Sequence, residues 1–353
     1  MRKEAFFGMS HEESLDLLSQ ARVVHLATTT PVRQPVLRAS NAVVMENAVF
    51  FHGSGAGEKG TTVGMPAVVS AEVVVAEIPS FMIDADHACV ATTFYRSVQA
   101  HGHLEAVKDP AEKARVLRAF MAKYQPEGGF QPVEHQSPLY QKAIEELLVL
   151  RMPIEHLDGK AKLGQNREPA ELTRVLEKLW ARGLPGDPRA IEVIRAANPA
   201  LPAPGFLSWP GGLPLTCALG GEPADLAQTV KLLEGEYWLA GLQPEQIARA
   251  HELAQAWVGA RDEGLVIASA RAVSDGKTAW IYDVVVDRPW RGRGLGTALM
   301  HLILDHPAVR TAASVRLRTK DAQPLYARFG FRDASEVERS FPSSEMVLER
   351  AGG

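Results

Sequence analysis

The sequence predicts an α+β chain of two domains: an antiparallel β-barrel with a few helices, then a mixed α/β sheet. Three observations point there. The chain has 353 residues, and at roughly 100–200 residues per domain two domains are expected. Up to about residue 160 it carries short Val-, Ala- and Thr-rich runs parted by Gly, Pro, Asn or Asp, the pattern of an antiparallel barrel. After a Pro/Gly-dense stretch at 198–215, strand-like and helical patterns alternate instead.

Each element has its own reason. Ser10 and Glu13 stand in capping-box spacing before Leu15, Leu17 and Leu18, so a short helix occupies residues 10–20. Strands are predicted at 23–29, 35–39, 42–52, 67–78 and 88–103. Residues 111–124 have helical spacing behind Pro110, and 144–154 read as extended or mixed. Residues 169–197 read as helical, with Leu172, Val175, Leu176 and Leu179 on one face. The stretch at 198–215 suits neither regular helix nor central strand and marks the boundary. Beyond it, 244–257 is an amphipathic helix, and 264–273 and 278–287 are strands around a Ser-Asp-Gly turn. A helix at 295–304, a strand at 314–319, a helix at 322–329 and a last strand at 345–349 complete the chain. The expected division is a first domain at 1–168, a helical and Pro/Gly-rich linker at 169–211, and a second domain at 212–353.

Composition narrows the function classes. Hydrophobic residues make up 46% and charged residues 23%, which excludes a disordered or collagen-like chain. A net charge of −4 gives no basic excess for nucleic acid. No apolar run reaches the roughly 18–20 residues of a membrane helix, and MRKEAFFGMSHEES turns polar too soon for a signal peptide. Cys89 and Cys217 are too few and too far apart for a disulfide framework or a zinc cluster, so a reduced cytoplasmic chain is expected. His101 and His103 share a strand face without a visible third ligand, so no metal site is assigned.

Two segments of the second half carry chemistry. Asp283, Val284, Val285 and Val286 lead from a strand into Arg291-Gly292-Arg293-Gly294-Leu295-Gly296-Thr297, where a helix begins. Successive amides at a helix N-terminus form an anion site, and glycines let phosphates approach. A Gly-rich surface turn has the same composition, but the dinucleotide fingerprint lacks its third glycine and a Walker loop lacks its Gly-Lys-Ser/Thr. Downstream, Thr319 to Phe331 contains Asp321, expected to cap a helix, Tyr326 within it and Gly330 ending it. Mid-helix between apolar neighbours, Tyr326 by itself reads as a packing tyrosine.

Together these segments resemble the GNAT N-acetyltransferase family. Its Arg/Gln-x-x-Gly-x-Gly/Ala signature matches Arg291 to Gly296, and its Leu-Tyr-x-x-x-Gly-Phe element matches Leu325 to Phe331, over a resemblance spanning about 212–350. The resemblance implies acetyl-CoA as donor. Its diphosphate would sit on the amides of Arg291, Gly292, Arg293, Gly294, Leu295, Gly296 and Thr297, and its pantetheine arm along Val284, Val285 and Val286. Tyr326 would be the general acid for the leaving thiolate, and Asp283 would bind or deprotonate the amine. Glu236-Tyr237-Trp238 resembles the acceptor-side segment of some members, and many members carry Asn where Asp321 stands.

The first half resembles the FMN-binding split-barrel superfamily of pyridoxamine-phosphate-oxidase-like proteins. The matching pieces are Pro35 to Asn41, Phe51-His52-Gly53, Gly57-Glu58-Lys59 and Tyr95 to Gly102, and Lys162 to Arg167 resembles a segment of PaiB-type regulators. The resemblance covers about 5–168 and implies FMN at the interface of a two-fold homodimer. Arg38, Ala39, Ser40, Asn41, His52 and Lys59 would hold phosphate and ribityl groups, and Ser97 and Gln99 would approach the ring. Some relatives of this fold bind haem or deazaflavin.

The sequence is therefore read as a bifunctional protein: a flavin-binding, oxidoreductase-like domain fused to an acetyl-CoA-dependent N-acetyltransferase acting on a small-molecule or protein amine. The alternative is a flavin- or haem-binding sensor with a fused acetyltransferase.

Overall fold

The computed structural model describes residues 4–30, 32–54, 58–84, 86–219 and 223–337, with residues 4, 5, 58, 59, 223 and 224 described by backbone only. The strand expected at 345–349 lies outside the described residues. The chain forms two compact units, Met1–Gly205 and Phe206–Gly353.

The first unit opens with α1 (Glu4–Phe7) and α2 (His11–Gln20). Ser10 and Glu13 make the expected reciprocal capping box at the start of α2. The strands are β1 (Val24–Thr29), β2 (Pro35–Ser40), β3 (Val43–Met45), β4 (Ala48–Ser54), β5 (Pro66–Ile78), β6 (Thr92–His103) and β7 (Glu105–Val107). After α3 (Pro110–Tyr124) and α4 (Gln141–Glu146) come β8 (Leu147–Pro153) and β9 (His156–Lys162), then α5 (Pro169–Arg182) and α6 (Asp187–Ala196). Two antiparallel sheets result, ordered β2-β1-β5-β6-β9 and β3-β4-β8-β7. Leu26, Val69, Ala100, Phe51 and Met152 pack between them, and a second cluster joins Phe50 and Val149 to Phe120 of α3.

Three differences from expectation have local causes. The run at 42–52 is two strands, because Glu46 and Asn47 take φ of 49° and 56° and close a two-residue hairpin. The run at 144–154 begins as α4, whose end is fixed by buried Lys113 donating to the carbonyls of Ile144, Glu145 and Leu147. The expected linker is not one piece. Its helices α5 and α6 belong to the first unit, where Arg182 donates to Glu77 O and Asn198 to Leu163 O.

The second unit starts inside the Pro/Gly-dense stretch, with Leu207 buried and β10 (Leu215–Thr216) entering the sheet. Then follow α7 (Pro223–Leu232), α8 (Pro244–Glu252), β11 (Ala256–Asp262), β12 (Leu265–Ser274), β13 (Thr278–Val286), α9 (Leu295–Asp305), β14 (Ser314–Arg316) and α10 (Gln323–Ala327). The sheet runs β10-β11-β12-β13-β14, antiparallel except for the parallel pair β13–β14. The helix expected at 244–257 stops at Glu252, and the apolar run from Ala256 is a buried strand. Short apolar runs do not distinguish the two by periodicity. The strand expected at 314–319 ends at Arg316, which matters for the site. No described helix is long and apolar enough to cross a membrane.

Candidate functional site

The site of the second unit is built around a gap in its sheet. β13 pairs with β14 only at Thr278, Ala279 and Trp280. From Ile281 to Val286 its β14-facing edge has no strand partner among the described residues. Peptide groups on such an edge are open to an extended ligand. On the other side, the pairing with β12 slips between Ser269 and Arg271, a bulge that sets Asp283 and Val284 against the single residue Ala270. Asp283 sits at this bulge with φ of 53°, not at the strand start as the sequence suggested.

Below the gap the chain turns into α9. A short 3-10 turn, Arg288–Trp290, leads to Gly292 and Gly294, with φ of 77° and 92°. Gly294 is the N-cap and offers no side chain to the helix. The amides of Leu295, Gly296 and Thr297 precede the first intrahelical bond, Ala298 N to Gly294 O at 3.0 Å. The turn expected to cradle an anion thus follows a strand whose edge has no partner among the described residues. The two arginines are not equivalent. Arg291 donates to Val286 O at 2.8 Å and to Glu236 Oε1 at 3.3 Å, which braces the turn. Arg293 lies over the Trp290 ring, 4.9 Å from its centroid.

Around the upper end of the gap, Asp283 is buried and each of its carboxylate oxygens accepts a hydrogen bond. Trp238 Nε1 donates to Oδ1 at 3.2 Å, Arg271 Nε to Oδ2 at 2.5 Å, and His251 Nε2 lies 3.4 Å from Oδ2. Burial pushes the carboxyl up, but the close contacts of His251 and Arg271 and the guanidinium charge outweigh it and hold it below its ordinary value. Tyr326 is 8% exposed on α10 and packs edge-to-face with Phe331. Burial, then Tyr237 and Asp321, push its hydroxyl up, so it stays protonated at neutral pH. Tyr237 Oη stands 3.5 Å from Asp321 Oδ1, so Glu236-Tyr237-Trp238 meets the bulge, the α10 approach and the Arg291 turn. Asp321 does not cap α10. Ala322 is the N-cap, and Thr319 Oγ1 accepts from its amide at 3.0 Å. Gly330 closes the turn with φ of 84°.

Sequence reading did not single out Arg271 and His251. They lie 12 and 32 positions before Asp283 and reach it only through sheet pairing and helix packing, so no local spacing marks them.

In the first unit the flavin candidates fall on different faces. Arg38 and Ser40 register with Leu26 and Val24, on the side of the barrel interior, and Arg38 donates to Thr28 Oγ1 at 3.2 Å. Ala39 registers with His25, His25 with Ser70, and Ser70 with Gln99, so Ala39, Gln99 and Ser97 share the opposite face. Asn41 follows β2 and donates to Arg22 O. His52 belongs to the other sheet and meets the Phe120 ring edge-on at 4.6 Å. Lys59 is described by backbone only and Gly57 lies outside the described residues. A cavity of about 400 Å³ between β1, β5 and β6 is lined by Thr28, Val68, His101, His103 and Glu155 among others, and none of the flavin candidates lines it. By chemistry, a guanidinium with neutral hydroxyl and amide groups suits one phosphate and several hydroxyls, but a single copy of the barrel does not bring these groups onto one face.

Comparison with known proteins divides the chain the same way. A family model described as pyridoxamine 5'-phosphate oxidase matches residues 10–161, and one described as the acetyltransferase (GNAT) family matches 225–331. A GNAT-family protein from Xanthomonas campestris pv. campestris is 30% identical over 37% of this chain and 96% of its own, with a TM-score of 0.32. A flavocytochrome from Azotobacter vinelandii is 21% identical over 46% and 71%, with a TM-score of 0.38. An FAD- and haem-binding protein from Mycobacterium smegmatis is 18% identical over 44% and 73%, also at 0.38. The search of curated proteins found no match. The chain thus joins a pyridoxamine 5'-phosphate oxidase-like domain to an acetyltransferase domain of the GNAT family.

Proposed function

We propose that the second unit transfers an acetyl group from acetyl-CoA to an amine, and that the first binds FMN between two copies of its barrel. The observation that carries the transferase reading is the coincidence of a strand edge with no partner among the described residues, Ile281 to Val286, with a helix N-terminus at Gly294 that has no side-chain cap. The edge suits an amide-rich pantetheine arm and the turn suits a diphosphate. The thioester carbonyl then lies toward the bulge, where the amide of Val284 is free of the regular ladder. A neutral amine attacks the carbonyl carbon, the carbon–sulfur bond breaks, and Tyr326 donates its proton to the departing thiolate. The amine's surplus proton passes to solvent and Tyr326 is reprotonated. Asp283 belongs to this centre through the bulge that it carries.

For the first half, Arg38 would pair with the cofactor phosphate, and Ser40, Ser97 and Gln99 would contact its hydroxyls and ring edge. Bound FMN would supply electron transfer. Distribution of these residues over two faces of one barrel, with Leu37 and Val74 68% and 62% exposed on its sheet, supports a site completed by a second copy. The reaction of this half is not assigned.

The test is direct. The full chain is incubated with acetyl-CoA and a panel of polyamines, arylalkylamines and amino acids, and thiol release is followed. Amine-dependent release supports the transferase reading, and its absence with every amine rejects it. A purified chain that is colourless and takes up no added FMN rejects the flavin reading.

A further inference from the structure

We infer that His251 and Arg271 are positioning residues for acetyl transfer, clamping Asp283 so that the bulge aims its Val284 amide at the thioester carbonyl. This rests on the transferase reading of the same site and changes the role of Asp283 from amine base to buried anchor.

The geometry favours an anchor. A base needs an oxygen lone pair facing the amine. Both Asp283 oxygens already accept, one from Trp238 and the other from Arg271, and His251 Nε2 stands 3.4 Å from the second. The side chains of His251, Asp283 and Arg271 are 0%, 4% and 12% exposed, so none of the three faces solvent. Neither ring nitrogen of His251 has a hydrogen-bond partner among the described residues, and the ring's ion-pair contact is Nε2 to Asp283 Oδ2 at 3.4 Å.

The clamp also answers a need of the backbone. Asp283 holds φ of 53°, a left-handed conformation that costs a non-glycine residue about 1–2 kcal/mol. Such a conformation persists only where the surroundings over-determine it. Here three side chains from three places do so: Arg271 from the neighbouring strand, His251 from the end of α8 and Trp238 from the acceptor-side segment. Without them the bulge relaxes into the ladder with β12, and the amide turns away from the carbonyl. A misplacement of about 1 Å at a reacting centre costs on the order of 100-fold in rate.

The experiment uses the full chain with acetyl-CoA and the best acceptor of the amine panel. His251→Gln, Arg271→Met, Arg271→Lys and Asp283→Asn are compared for kcat, KM and pH profile, with hydrogen exchange of the bulge amides measured in the same unliganded proteins. The inference expects kcat to fall about 100-fold in His251→Gln, Arg271→Met and Asp283→Asn, while KM for acetyl-CoA stays within about twofold and the pH profile keeps its shape. Arg271→Lys recovers part of the rate, and the double variant His251→Gln/Asp283→Asn is no worse than either single one. Bulge amides exchange faster in each impaired variant. The inference is overturned if Asp283→Asn alone loses rate and the acidic limb of its profile while His251→Gln matches the parent, because Asp283 then acts as a base. It is also overturned if bulge exchange is unchanged in all variants. If the parent turns over no amine, the transferase reading fails, and the exchange data still decide whether the clamp holds the bulge.

Discussion

Replacing Gly294 by alanine separates the backbone of the carrier turn from everything around it. Gly294 holds φ of 92°, where a Cβ costs about 1–2 kcal/mol. A Cβ built there meets nothing closer than Trp209 Cζ3 at 3.9 Å, so the penalty is conformational and not steric. The turn escapes the strain by rotating, and rotation withdraws the amides at the start of α9. Binding must then restore the original turn, which at about 1–2 kcal/mol raises the Kd for acetyl-CoA roughly 5- to 30-fold. Gly276→Ala is the control. Its φ is 79°, nothing lies within 4 Å of the added carbon, and it sits in the β12–β13 hairpin away from the turn. It loses stability by a similar amount and keeps the parent Kd. Titration calorimetry of acetyl-CoA into the three full-length proteins, with thermal unfolding alongside, reads both effects. Equal Kd values for Gly294→Ala and Gly276→Ala refute the reasoning.

Three further outcomes follow from the same structure. Tyr326→Phe removes the proton for the thiolate and lowers kcat on the order of 100-fold or more with little change in acetyl-CoA affinity; equal loss of binding would make it a packing residue. His306 is 3% exposed, and burial lowers its pKa to about 4, so the unfolded chain binds a proton that the folded one refuses. Stability from this group is complete above about pH 6.5 and is lost as pH falls toward 4, by about 3 kcal/mol at about 1.4 per tenfold. Tryptophan fluorescence reports mainly on the second unit, which holds Trp209, Trp238, Trp257, Trp280 and Trp290, and His306→Gln flattens its urea midpoint between pH 6.5 and 4. Arg38→Met weakens FMN uptake at least tenfold without unfolding the barrel, measured by flavin fluorescence quenching; an unchanged titration removes Arg38 from the cofactor site.

Much of the fold was legible where the cue is local. Ser10 and Glu13 mark a helix start that the structure keeps, because capping involves only residues three apart. The glycine turn between strand and helix was legible for the same reason, since strand, glycines and helix are contiguous from Asp283 to Thr297. What was missed depends on distance or length. The strand at Ala256–Asp262 was read as the end of a helix because a short apolar run fits both periods. Helix α7 went unread, although Leu226, Val230 and Leu233 are spaced for one face behind Pro223. The clamp on Asp283 has no sequence signature, because His251 and Arg271 meet it only after α8 and β12 are placed. In the first unit the strands are local and legible, but the residues proposed for flavin lie on separate faces that one chain's spacing does not relate.

Hydrogen exchange of the full chain with and without acetyl-CoA tests the role of the second unit most directly. Slowed exchange is expected at Val284–Val286 and from Gly292 to Thr297, with the exposed β12–β13 hairpin at Gly276 unaffected. Protection elsewhere, with that turn exchanging as fast as in the free protein, would contradict the assignment of the α9 N-terminus as the place where the carrier's diphosphate is held.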